Sequence, residues 1–217
     1  MSRSSARHAP PHDDRRHTAL VQDMSRLVRR ALLDAIVELG DASRDCAALT
    51  VEPARVPIAP AHLAASHPGG PQSRHEARAL YERCLAHYRH VVRASQADSS
   101  LDDVGAAVAC FVAANLQALH GIDATPEMLL RLERQLGGVA TLSSAWASAS
   151  ARERQLYFEQ MAILAVLIRE TSAHAVLQGP AAVENVRRAA RRYLRQLLGL
   201  DPDQLTLDAG GLSLREA

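Results

Sequence analysis

Lysine is missing from this chain: all 25 basic residues are arginine. Arginine and alanine share GC-rich codons, so this reads first as base composition and only second as selection for planar guanidinium contacts. Aromatic side chains make up only 3% of the residues. Helices that carry few rings can approach one another closely. Cysteine is also scarce: Cys46, Cys84 and Cys110 form an odd set without metal-motif spacing, and nothing in it implies a disulfide framework. Neither charge sign dominates, because 25 basic and 24 acidic residues leave a formal charge of +1. That balance removes any global attraction to a polyanion, and nucleic acid is not expected as a partner.

Other absences narrow the classes further. No apolar run approaches the roughly 20 residues that cross a bilayer, so no transmembrane segment is expected. The opening residues, MSRSSARHAPPHDDRRH, contain no hydrophobic core of a secretory signal. As written, the chain therefore reads as cytoplasmic. The nucleophile elbow, the phosphate-binding loop, the zinc-protease helix motif and the dinucleotide fingerprint are all absent. The sequence calls for no cofactor and no resident metal, and reads as non-enzymatic.

What is present forms helices. The hydrophobic fraction is 47%, chiefly alanine, leucine and valine, and alanine and leucine are among the strongest helix formers. A compact chain of 217 residues buries roughly 70% of its extended surface, which stabilises a fold without a staple. The clearest element runs from Ser150 to Gly179. Ser150 and Glu153 have capping-box spacing, Gly179-Pro180 is a stop, and Met161 to Ile168 is apolar without a break. Such a helix has to be enclosed by others. The fold class is therefore all-α: a bundle of about five helices around this central helix.

Four regions follow from the punctuation. Residues 1–16 are polar and read as a disordered N-terminus. Residues 17–40 read as a separate amphipathic arm, with Leu20, Met24, Leu27, Val28, Ala31 and Ala35 on one stripe and Gly40 as its stop. Residues 41–72 are proline-rich and read as a linker. Residues 73–217 form the bundle. It starts with a capping box at Ser73 and Glu76, and a second helix opens near Ser100 with Asp102 and Asp103 in its first turn. Thr125-Pro126-Glu127 starts a third helix, which stops at Gly137-Gly138. A final helix spans Ala181 to Leu198, and the tail lies extended on the bundle without forming a sheet.

A few residues could carry chemistry. Arg187, Arg188, Arg191, Arg192 and Arg195 share one half of the last helix and form a candidate surface for an anion or a partner. The competing reading is a solvated face, with Glu184 and Arg188 as an i,i+4 pair. Cys84, His87 and His90 lie three apart, with His75 upstream, but successive i,i+3 steps drift around a helix of about 3.6 residues per turn. They diverge too far to share a zinc ion. Glu170 and His174, at i,i+4, fit a surface ion pair better than a di-iron site, which needs repeated i,i+3 pairs. Asn115 interrupts an otherwise apolar helix, and a buried amide there needs hydrogen-bond partners.

Several segments together resemble a known family. They are Asp103 to Val108, Phe111 to Leu119, Gly121, Thr125-Pro126, Tyr157 to Met161, and the ending Leu198 to Asp201 with Leu205, Leu207 and Gly211. The chain is similar over roughly residues 75–214 to an uncharacterised bacterial all-helical family, one of the domains of unknown function. The resemblance implies a helical fold and transfers no catalytic or binding residue. Its members often begin with a secretory signal, so it also implies export as a destination. The leading expectation is a non-enzymatic protein-interaction or structural module, acting through a protein partner or self-association by the 17–39 helix. The alternative is a regulator that binds a small ligand inside the bundle, or nucleic acid on the arginine face.

Overall fold

The computed structural model describes residues 18–23, 25–26, 49–95 and 102–215. Strand β1 (Thr50–Val51) leads into helices α1 (Ala59–Ala65) and α2 (Pro71–Ser95). Strand β2 (Asp102–Asp103) precedes α3 (Val104–His120), α4 (Pro126–Thr141), α5 (Ser144–Ser148), α6 (Ala151–Gln178) and α7 (Pro180–Leu198). A short 3-10 turn (Pro202–Gln204) and strands β3 (Leu205–Asp208) and β4 (Gly211–Leu214) close the chain. Residues 18–23 and 25–26 are also helical. The architecture is an all-α bundle centred on α6, which packs against α1, α2, α3 and α7.

The helices begin where side chains can satisfy their first amides. Ser150 accepts from the Glu153 amide while the Glu153 carboxylate accepts from the Ser150 amide, which is the expected capping box. Thr125 accepts from Met128 N ahead of Pro126. Asp103 accepts from Ala106 N at 2.8 Å, so α3 starts after the two aspartates that were expected inside its first turn. Helix α4 runs through Gly137-Gly138 to Thr141. The glycines do not stop it, because neither takes the left-handed conformation of a helix C-cap. Helix α3 comes close here: a methyl on Gly105 would lie 3.3 Å from the Glu133 carbonyl oxygen and 3.4 Å from Gly137 Cα.

Among the described helices, α6 alone is long and apolar enough to cross a bilayer by length and composition. The bundle covers its apolar centre. Met161, Ala162, Ile163, Ala165 and Ile168 are buried, and Tyr157 and Phe158 one turn earlier are fully enclosed. Helix α3 is apolar nearly all round for the same reason, since α4, α6 and α7 all pack on it.

The expected linker at 41–72 is not one where it is described. Leu49, Val51 and Ala59 are buried in the main core, and Ala64 is buried as well. Strand β1 pairs antiparallel with β2, Thr50 opposite Asp103 and Val51 opposite Asp102. Proline here punctuates short elements: Pro60 sits in the first turn of α1, and Pro71 opens α2 two residues before the expected start. Glu76 accepts from the Gln72 side chain at 2.8 Å instead of completing a capping box. The tail also differs from the expected extended segment. Strands β3 and β4 form a hairpin with Leu205 opposite Leu214 and Asp208 opposite Gly211. Its turn is set by Asp208 accepting from Gly210 N and by Gly211 at φ 103°.

The N-terminal amphipathic segment is separate from the bundle in sequence but not in space. Leu20 is 1% exposed and belongs to the main core. The Asp23 carboxylate accepts from the Ser143 hydroxyl at 2.7 Å and from Ala145 N, and the Ser143 contact holds its pKa below the usual carboxylate range. The Ser25 hydroxyl lies 2.9 Å from the Gln196 carbonyl. The rest of the stripe, Met24, Leu27, Val28, Ala31 and Ala35, lies outside the described residues, as do the expected disordered residues 1–16 and Cys46.

Candidate functional site

Alanine-rich helices leave space where their small faces meet. Ala113 and Ala114 of α3 face Ala165 and Val166 of α6 across a cavity of about 460 Å³. Helix α2 contributes Tyr88 and Val91, and the start of α4 with its preceding loop contributes Leu129, Ile122 and Ala124. That volume lies inside the roughly 300–1,000 Å³ range of small-molecule sites. The mouth is polar: His87, Gln117, Asp123, Arg169 and Glu170 stand around it, all exposed. One edge is closed by Gln117 donating to Asp123 at 2.5 Å.

Two ionisable groups belong to the inner wall, Tyr88 and Cys110. Burial pushes the Tyr88 phenol well above its usual range. The Cys110 thiol is pushed up to about 11, again by burial. Both are neutral at physiological pH. The Tyr88 hydroxyl stands near the Cys110 thiol and is buried without a hydrogen-bond partner in bonding geometry. The cavity thus combines an apolar, uncharged interior with a charged entrance.

The arginine face is only partly free. Arg191 donates to Asp203 at 2.9 Å, and Arg195 lies 3.6 Å from Asp201. Arg188 donates to Asn185 in place of the expected Glu184 pairing, and the Arg192 guanidinium lies 5.7 Å from the centre of the Tyr193 ring. Arg187 is exposed. The acidic turn after α7 therefore folds back onto the helix and neutralises two of the five arginines.

The other candidates are dispersed. Cys84 is buried, His87 is on the cavity rim and His90 is exposed. Among the described residues, no group of three or more histidine, cysteine, aspartate or glutamate side chains is placed to hold a metal ion. Glu170 is part of the cavity rim, while His174 is exposed four residues on. Asn115 is fully buried, and its amide donates to the Phe111 carbonyl at 2.7 Å while its own oxygen has no partner.

Sequence reasoning missed a heavily bonded polar group in the core. Glu159 is 0% exposed. It accepts from Ile58 N at 2.7 Å, Ala59 N at 2.8 Å and the Gln155 side chain at 2.7 Å. Arg89 lies 3.8 Å from it and pairs bidentately with Asp102, which is 6% exposed. The N-cap position of α1, Ile58, has no capping side chain of its own. Glu159 supplies that cap from about 100 residues away, and the Arg89 charge balances it. The only sequence signal was a glutamate beside Gln160 in a helical stretch bounded by Tyr157-Phe158 and the apolar run from Met161.

No curated protein and no solved structure matches the chain. A family model described as a family of unknown function (DUF6683) matches residues 7–215. That span takes in the N-terminal segment and the bundle together, and the chain belongs to this family.

Proposed function

We propose that the chain is a non-enzymatic helical-bundle module whose activity is to bind a small molecule inside the bundle. The observation that carries this reading is the 460 Å³ cavity between α2, α3, α4 and α6, with its uncharged interior. The amphipathic arm, which motivated a protein-partner reading, places Leu20 in the chain's own core. Its described part therefore needs no second protein to cover it. A nucleic-acid reading loses support because Asp201 and Asp203 face two of the five arginines. Burial keeps the Cys110 thiol protonated and poorly nucleophilic at neutral pH, which argues against cysteine-based chemistry in the cavity.

A thermal-shift screen tests the proposal, since a ligand that binds only the folded state raises its melting temperature. Small apolar compounds, nucleotides, anionic lipid and duplex DNA form its arms. The expected result is stabilisation by apolar compounds that disappears in Ala114→Phe, where the new ring occupies the cavity. Stabilisation by DNA or nucleotides alone, unchanged in Ala114→Phe and lost in Arg187→Gln/Arg188→Gln, would transfer the activity to the arginine face.

A further inference from the structure

The cavity wall constrains the ligand more closely than its size does. Its inner surface consists of alanine, valine, leucine and isoleucine side chains together with Tyr88 and Cys110. No charged side chain belongs to it, because the ionised groups that line the cavity, Asp123, Arg169 and Glu170, are exposed ones. Those three carry mixed signs, one positive and two negative, and Asp123 already accepts from Gln117. The entrance therefore selects neither anions nor cations. A charged group carried inward would leave water without meeting an opposite charge, which is strongly unfavourable.

We infer that the cavity takes an uncharged, largely apolar small molecule, seated against Ala113, Ala114, Ala165 and Val166 with the Cys110 thiol on its flank. This inference rests on the binding-module reading above and adds the chemical class of the ligand. The Cys110 thiol is partly buried and lines the space. An occupant of this kind therefore shields it.

The test uses the full chain carrying Cys46→Ser and Cys84→Ala, so that Cys110 is its one thiol. The probes are indole, which is neutral, and two charged molecules of similar girth, benzoate and benzylammonium. The readouts are melting temperature and the rate of Cys110 modification by methyl methanethiolsulfonate. Indole is expected to raise the melting temperature and to slow modification about fivefold at saturation. Benzoate and benzylammonium are expected to bind at least about tenfold more weakly. If either charged probe binds as tightly as indole and protects Cys110, the ligand class is overturned while the binding module stands. If no probe stabilises the chain or protects Cys110, and Ala114→Phe changes neither readout, the inference and the reading beneath it both fail. Should Cys84→Ala impair folding, Cys84→Ser with the same readouts replaces it.

Discussion

At the scale of single residues, Glu159 holds together pieces of chain that are remote in sequence. Its carboxylate accepts two backbone amides of α1, a glutamine side chain and the approach of Arg89. Removing one member of such a buried set leaves the others desolvated and unpaired, which is costlier than the net worth of the contacts. Glu159→Ala is expected to destabilise the fold by about 3–5 kcal/mol. Glu159→Gln keeps an oxygen for the α1 amides and can exchange amide groups with Gln155, so about 1–2 kcal/mol is expected there. Urea titration separates the two, and equal midpoints for both variants would show that the carboxylate is not the cap. Asn115 is a counterexample at the same scale. Its amide is satisfied but its buried oxygen is not.

At the scale of elements, the fold was most legible where its signals are local. Ser150 with Glu153, and Thr125 with Pro126, mark helix starts because cap and amide lie within one turn. The bounds of α6 follow from its own residues. Strand β1 and helix α1 were invisible for the opposite reason: β1 is completed by Asp102 and Asp103, and the α1 cap by Glu159. Proline density alone then reads as linker. Gly137-Gly138 misled in the same way: a glycine pair reads as a stop, yet neither takes a positive φ and α4 continues, while α3 approaches α4 closely through Gly105. That close approach gives a prediction. Gly105→Ala gains about 1 kcal/mol of helix propensity, but its methyl would lie 3.1 Å from the Asp103 carboxylate that caps α3 and 3.3 Å from the Glu133 carbonyl oxygen. A net loss of about 1–2 kcal/mol is expected from the strain. Gly137→Ala meets only the end of the Leu49 side chain, at 3.0 Å, and is expected to stay within about 1 kcal/mol of the parent. Thermal melts of the pair decide it, and the reverse ranking would refute the packing account.

At the scale of the whole molecule, the candidate site was the least legible part. Ala113, Ala114 and Ala165 leave no mark in a sequence rich in alanine, and a cavity is a property of several helices at once. The arginine face could be seen as a pattern. Its partial neutralisation by Asp201 and Asp203 depends on how the next turn folds back. The N-terminal region carries a prediction at this scale. Deleting residues 1–72 removes Leu20, Leu49, Val51 and Ala59 from the core and leaves Glu159 without its backbone donors. The truncated chain is expected to lose cooperative unfolding, as followed by circular dichroism. A sharp transition at the parent temperature would restore the linker reading.

The capping of α1 by Glu159 also sets a schedule for biosynthesis. Ala59 is made 100 residues before its acceptor. At about 5–20 residues per second, the early segment spends roughly 5–20 s on a growing polypeptide with nowhere to dock. Its greasy side chains are then an invitation to chaperones, and assembly of the first third has to await arrival of the second half of the molecule.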